Sequence, residues 1–245
     1  MRRVSTRLGE LDCQVVEAIP EGTNPELAVV LCHGFGAPST DLVPLARELV
    51  ALKPELGPRV RFVFPAAPLS LAQLGMPHAR AWFHLPTEVL MGQERNWEQF
   101  AVATPEGLAQ ARRGLMSLLS ALSAATKLPY GRIVLGGFSQ GGMVTTDVAL
   151  RLEEAPAGLC ILSGTLICQD DWKQRAEKRQ GLPVLQSHGR YDNILVFRQA
   201  ERLHKLFKDA GLAVDFIPFD GPHTIAPEAL ERMAEFLHAC TTRKS

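Results

Sequence analysis

Apolar positions along this chain of 245 residues follow two rhythms that alternate. Short runs rich in aliphatic and β-branched residues occupy 12–18, 27–33, 60–64, 132–136, 158–162, 183–187 and 213–219. Several of them, the run from Leu27 to Cys32 above all, lack polar alternation, which is the pattern of a strand covered on both faces. Elsewhere the apolar residues recur at helical spacing. Leu108, Ala111, Leu115, Leu118, Leu119 and Leu122 make one stripe; Val196, Ala200, Leu203, Leu206, Phe207 and Ala210 make another, closed by Gly211 in the C-cap position. A last stripe, Leu230, Met233, Ala234 and Leu237, follows Pro227 and gives way to a polar tail, 241–245, expected to fray. Strands alternating with helices predict βαβ units, hence an α/β fold with a mainly parallel central sheet flanked by helices on both faces.

Segment 69–103 breaks this rhythm. It is long and weakly periodic, and it sets Trp82, Phe83, Met91, Trp97 and Phe100 among Gly, Pro and charged residues. A connection of that length inside a compact domain is expected to be a lid-like insertion after the third predicted strand. With no internal repeat or low-complexity linker, residues 1–245 are expected to form a single domain.

Charge narrows the partners. Lys and Arg number 26 against 26 Asp and Glu, so there is no basic footprint for nucleic acid or anionic membrane, and neither is expected. The longest clean apolar stretch is far shorter than the ~20 residues of a spanning helix, and the basic start at Arg2 and Arg3 turns polar at once. A cytoplasmic protein without an integral membrane segment is the expectation. Five scattered cysteines fit neither a disulfide framework nor metal-ligand spacing, so neither a metal nor an organic cofactor is expected.

The informative chemistry is Gly137-Phe138-Ser139-Gln140-Gly141, a G-x-S-x-G pentapeptide. About one chain in ten of this glycine content would carry the pattern by chance, so context decides. A strand-like run, 132–136, leads into it, and Met143, Val144, Val148 and Leu152 follow on one helical face. Strand, sharp turn and helix put a serine hydroxyl at the tip of a strained elbow. Serine is a poor nucleophile at neutral pH, so a base must take its proton and a carboxylate must hold that base in the right tautomer. In the chain order that this turn implies, both follow Ser139. The strand 183–187 leads to Asp192, and the strand 213–219 leads to His223, each on a loop at the carboxyl edge of the sheet. Rival acids are Asp220, a turn former beside Gly221-Pro222, and Asp170 or Asp171, which read as the N-cap of a short helix. Among the other histidines, His78 and His84 fall in the insertion, His204 and His238 on helices, and His188 precedes the acid. The oxyanion of the tetrahedral intermediate needs amide donors: the N–H of Gln140, after the nucleophile, and that of Phe35, in the loop His33-Gly34-Phe35-Gly36 after an early strand.

HGFG at His33, GFSQGG at Gly137, HGRYD at His188 and DGPH at Asp220 together resemble the phospholipase/carboxylesterase family of α/β-hydrolases, which includes the acyl-protein thioesterases. The resemblance spans most of the chain. It implies an α/β-hydrolase fold and a serine esterase with Ser139 as nucleophile, Asp192 as acid, His223 as base and Phe35 and Gln140 as oxyanion donors. It implies a small-molecule ester as substrate, cleaved through an acyl-serine intermediate, and homodimers, which relatives often form. Trp82-Phe83 resembles the family's aromatic pair beside the active site, so these two are expected to bind substrate. A thioesterase acting on acyl-proteins or small acyl thiols is the near alternative, and a non-catalytic ligand-binding relative the distant one. The chain departs from the family at Asn193-Ile194-Leu195-Val196, where prolines are common, and at His84, where relatives often have Asp. Serine at 139 sets aside dienelactone-hydrolase-like chemistry, which uses cysteine there.

Overall fold

Alternate residues of the strand β3 (Leu27–Cys32) leave for opposite faces of the sheet, and both faces are covered, which is why no polar residue interrupts it. Ala28, Val30 and Cys32 belong to one core and Leu27, Val29 and Leu31 to the other. In chain order the elements around it are β1 (Arg2–Leu8), β2 (Leu11–Glu17), β3, α1 (Leu45–Leu52), β4 (Val60–Pro65), β5 (Leu69–Ser70), β6 (Arg80–Ala81), α2 (Thr87–Leu90), α3 (Trp97–Val102), α4 (Leu108–Thr126), β7 (Ile133–Phe138), α5 (Gln140–Ala149), β8 (Gly158–Leu162), α6 (Gln169–Ala176), β9 (Pro183–Gly189), α7 (Phe197–Asp209), β10 (Ala213–Phe219) and α8 (Pro227–Thr242). The computed structural model describes residues 1–93 and 96–243.

The main sheet has eight strands in the order β1-β2-β4-β3-β7-β8-β9-β10. β1, β2 and β4 pair antiparallel, and every pair from β4 to β10 is parallel. Leu108, Leu115, Leu118 and Leu122 of α4, Val144 of α5 and Phe207 of α7 pack one face. Leu45 and Leu49 of α1 with Met233 and Leu237 of α8 pack the other. The expected α/β architecture is the one observed. No helix among the described residues is long and apolar enough to cross a membrane.

Sequence pattern and structure differ at identifiable places. β1 carries no strand signal because every residue from Arg2 to Arg7 is exposed, leaving no buried face to impose alternation. It forms through a hairpin with β2, turned at Gly9. The insertion therefore follows the fourth strand, and it contains the small hairpin β5–β6 and the helices α2 and α3. Glu94 and Arg95 within it lie outside the described residues. The tail expected to fray from 241 is helical through Thr242, and Lys244 and Ser245 also lie outside the described residues. Asp170 and Asp171 sit in the first turn of α6, whose N-cap is Cys168.

Parallel pairing has one consequence for chemistry. The carboxyl ends of β3, β7, β9 and β10 lie at one edge of the sheet, so the loops that follow them, bearing His33–Gly36, Ser139, Asp192 and His223, gather there. The helix behind Ser139 is anchored by charge. Asp147 of α5 is fully buried and accepts from Arg112 of α4 at 2.6 Å, from Trp172 Nε1 of α6 at 2.9 Å and from Arg151.

Candidate active site

Ser139 stands between the last residue of β7 and the first of α5 with φ 54° and ψ −120°. That is left-handed backbone rare for a residue with a Cβ, and strain of this kind persists only where the surroundings impose it. Here they do. Ser139 N–H donates to Leu162 O of β8 at 2.8 Å, and Met143 N–H to Ser139 O at 3.2 Å. A Cβ on Gly137 would lie 2.5 Å from Cys32 O, and one on Gly141 only 1.9 Å from the same atom, so both flanking glycines are required by the close approach of β3.

Gly34 faces the serine, since a Cβ there would lie 3.4 Å from Ser139 Cβ. The loop carrying it is tied on several sides. Gly36 N–H donates to Arg80 O of β6 at 2.9 Å, and Arg80 N–H donates back to Ala37 O at 3.3 Å. Ala67 N–H donates to His33 Nε2 at 3.1 Å, which leaves Nδ1 to donate to Gly34 O at 2.8 Å. Burial pushes the His33 imidazole below its ordinary pKa, although the Gly34 hydrogen bond opposes it. Phe35 N–H donates to no group among the described residues, and Gln140 N–H is one of the orphan donors at the start of α5.

Asp192 and His223 meet at 2.6 Å, Oδ2 accepting from Nδ1. The other carboxylate oxygen, Oδ1, accepts from Ile194 N–H at 2.9 Å and Leu195 N–H at 2.8 Å. These bonds close the loop from Asp192 to Leu195. Burial alone would raise the Asp192 carboxyl, but hydrogen bonds from His188 and His223 outweigh it and hold the group well below the usual carboxylate range. The rival Asp220 is 73% exposed and faces Arg190 at 3.4 Å. Asp171 is taken up by Arg151 and Arg175, and Asp170 lies exposed on the same helix.

Ser139 and His223 line one cavity of about 390 Å³, together with Gly34, Phe35 and Phe138. The His223 ring packs at 4.8 Å from the Phe138 ring. The rest of the wall is apolar: Met76, Leu85, Val89 and Leu90 come from the insertion, and Ile194 and Leu195 from the loop after Asp192.

Trp82 and Phe83, expected to touch substrate, are absent from that lining and wholly buried. Their polar groups bond to the loop after β3 and to the elbow. Trp82 Nε1 donates to His33 O at 2.9 Å and Trp82 N–H to Gln140 Oε1 at 2.8 Å, while Gln140 Nε2 donates to Phe83 O at 2.7 Å. The Gln140 amide thus locks the elbow to the insertion. His84 is exposed beyond them. Sequence reasoning also passed over His188, whose Nε2 lies 3.1 Å from Asp192 Oδ2. Its spacing of four residues before the acid was visible, but only the fold turns it inward.

Because Trp82 is wholly buried, Trp82→Ala is expected to cost about 3–5 kcal/mol, the range for a large aromatic lost from a core. At this size that lowers Tm on the order of 10 °C. The ratio of long-chain to short-chain ester turnover should stay unchanged. A thermal melt beside kcat/KM for a series of p-nitrophenyl esters checks it, and altered selectivity at an unchanged Tm would return Trp82 to the pocket.

The model of the phospholipase/carboxylesterase family matches residues 12–241. The chain is 30% identical over 233 residues to acyl-protein thioesterase 1 of Mycosarcoma maydis, covering 88% of this chain and 92% of that one. It is 28% identical over 222 residues to acyl-protein thioesterase 1 of Eremothecium gossypii, covering 86% and 87%. The crystal structure of esterase PE8 superposes with a TM-score of 0.79 at 27% identity, over 94% of this chain and 99% of that one. A serine at a strained elbow, loops gathered at the carboxyl edge of a mainly parallel sheet, and a match across nearly the whole length agree: the chain belongs to the phospholipase/carboxylesterase family of α/β-hydrolases.

Proposed function

We propose that residues 1–245 act as one domain that hydrolyses carboxylic esters through an acyl-serine intermediate, with Ser139 as nucleophile, His223 as base and Asp192 as acid. The observation that carries this reading is the 2.6 Å bond from His223 to Asp192, with His223 and Ser139 opening on one apolar cavity. Nδ1 of His223 is committed to Asp192, so Nε2 is left as the proton acceptor. It takes the Ser139 hydroxyl proton as Oγ attacks the ester carbonyl. The developing oxyanion is received by the N–H groups of Phe35 and Gln140, which stabilise it without reorganising. Imidazolium then protonates the departing alcohol. A water, deprotonated by His223, attacks the acyl-serine, and the acid leaves with Ser139 restored.

The acyl chain lies against the insertion in this scheme. Leu85 is half-buried in the cavity wall, so Leu85→Ala should remove a few methylene contacts at about 0.8 kcal/mol each. Octanoate turnover is then expected to fall about tenfold relative to acetate, read as a ratio of kcat/KM values. An unchanged ratio would remove the acyl chain from this wall.

A thioester is the second substrate class, favoured by the two acyl-protein thioesterases among the relatives. The same nucleophile and donors serve either bond. A panel of p-nitrophenyl esters from acetate to palmitate, with an acyl-CoA and a lysophospholipid, tests the proposal and separates the classes. Hydrolysis of none of them would leave a ligand-binding relative as the better reading.

A further inference from the structure

The scheme above leaves one buried imidazole beside the acid without a task. The His188 side chain is fully buried, and its Nε2 lies 3.1 Å from Asp192 Oδ2 and 2.7 Å from Leu195 O. Both neighbours are acceptors, so Nε2 carries the proton. Nδ1, on the far side of the ring, has no hydrogen-bond partner among the described residues. Oδ2 of Asp192 accepts from His223 and has His188 Nε2 at 3.1 Å, the single His188 N–H being divided between it and the closer Leu195 O, while Oδ1 receives two backbone N–H groups. The His188 ring is held in place by its position on β9, paired with Pro218 of β10, and by the Phe197 ring of α7 at 6.2 Å.

We propose that His188 is a positioning residue for hydrolysis: it shares Asp192 Oδ2 with His223, fixes the plane of the carboxylate, and divides the negative charge that His223 feels. The inference rests on Asp192 and His223 acting as acid and base. A carboxylate with one donor can pivot about that bond, whereas three hydrogen bonds and the His188 contact on its two oxygens leave it one orientation. A charge shared between two donors also favours the imidazolium of either one less than an undivided charge would. Among the described residues, neither imidazole has an ion-pair partner other than Asp192. The other charged groups nearby are Arg190, whose guanidinium lies 5.2 Å from the Phe197 ring centre, and Asp220, which Arg190 faces at 3.4 Å. On α7, His204 stacks on Phe216 two rings away.

His188→Phe keeps a ring in the space and removes the donor, whereas His188→Gln places an amide N–H near the position of Nε2. The phenylalanine variant is expected to lower kcat about tenfold and to move the low-pH limb of kcat/KM upward by about half a unit, because Oδ2 then faces His223 alone. The glutamine variant should restore the limb to its wild-type position. A phenylalanine variant that folds with an unmoved limb, or a glutamine variant that shifts as far as phenylalanine, would overturn the proposal. Should the phenylalanine variant fail to fold, ¹⁵N NMR of the wild-type histidines still decides, since an Nδ1–H tautomer at His188 contradicts the shared-donor arrangement and an Nε2–H tautomer supports it. Asp192→Asn run alongside separates the two readings: if it leaves turnover intact the triad itself falls, and if it does not, an unmoved His188→Phe limb overturns only the role of His188.

Discussion

Replacing Ser139 by alanine is expected to abolish ester hydrolysis, with kcat falling on the order of 10⁶-fold, as in serine hydrolases that lose their nucleophile. The substitution removes one oxygen and little else. Ser139 is 8% exposed, and its backbone at φ 54° is held by Leu162 O and Met143 N–H, bonds that alanine keeps. Left-handed backbone costs the two residues about the same. Fold and Tm should therefore be close to wild type, so the loss reports chemistry rather than unfolding. Steady-state turnover of p-nitrophenyl acetate checks it, and near wild-type turnover by the variant would end the assignment of Ser139.

The second large effect belongs to the acid. Asp192→Asn is expected to cost roughly 10⁴ in kcat. The physical reason lies in the N–H groups around the carboxylate. Ile194 and Leu195 N–H groups point at the Oδ1 position, so the asparagine carbonyl must sit there and its NH₂ must face His188 and His223. Donor then faces donor, and His223 escapes by moving its proton to Nε2, which is the wrong tautomer for a base. Asp220→Asn removes only an exposed pairing with Arg190, a contact of the kind worth 0 to about 1 kcal/mol, and activity should stay within a few-fold. The reverse ranking in steady-state kinetics would move the acid to Asp220. The same carboxylate bears on acid stability. Its folded pKa is depressed, so its contribution is complete above the unfolded carboxylate range of about pH 4 and is lost as pH falls below it. Asp192→Asn should flatten that part of the acid-unfolding curve.

How much of this was legible beforehand follows from which forces leave a periodic mark. Strands such as β3 and β8, buried on both faces, announce themselves because every position is apolar. The elbow was readable because the close approach of β3 to β7 and α5 admits only glycine at 137 and 141. β1 was not, since an exposed edge strand is set by pairing rather than by burial. Trp82 shows a different gap. An aromatic residue in an insertion reads equally well as pocket wall or as brace, and only the partners of its indole N–H and backbone separate the two. The insertion residues that line the cavity are smaller ones, among them Leu85, Val89 and Leu90, which carry no motif. His188 was hidden for a related reason. A histidine on a buried strand becomes a partner of Asp192 only when the loop from 190 to 195 folds back over it.

The central claim is that Ser139 is an activated nucleophile within reach of solvent-borne substrate. A fluorophosphonate reacts with such a serine and not with an ordinary hydroxyl, so intact-mass spectrometry after labelling, followed by peptide mapping, tests it most directly. One phosphonyl adduct per chain on Ser139, absent from Ser139→Ala and formed far more slowly by His223→Ala, is the predicted result. A folded wild-type protein that takes up no label, or takes it up on another residue, would contradict the account.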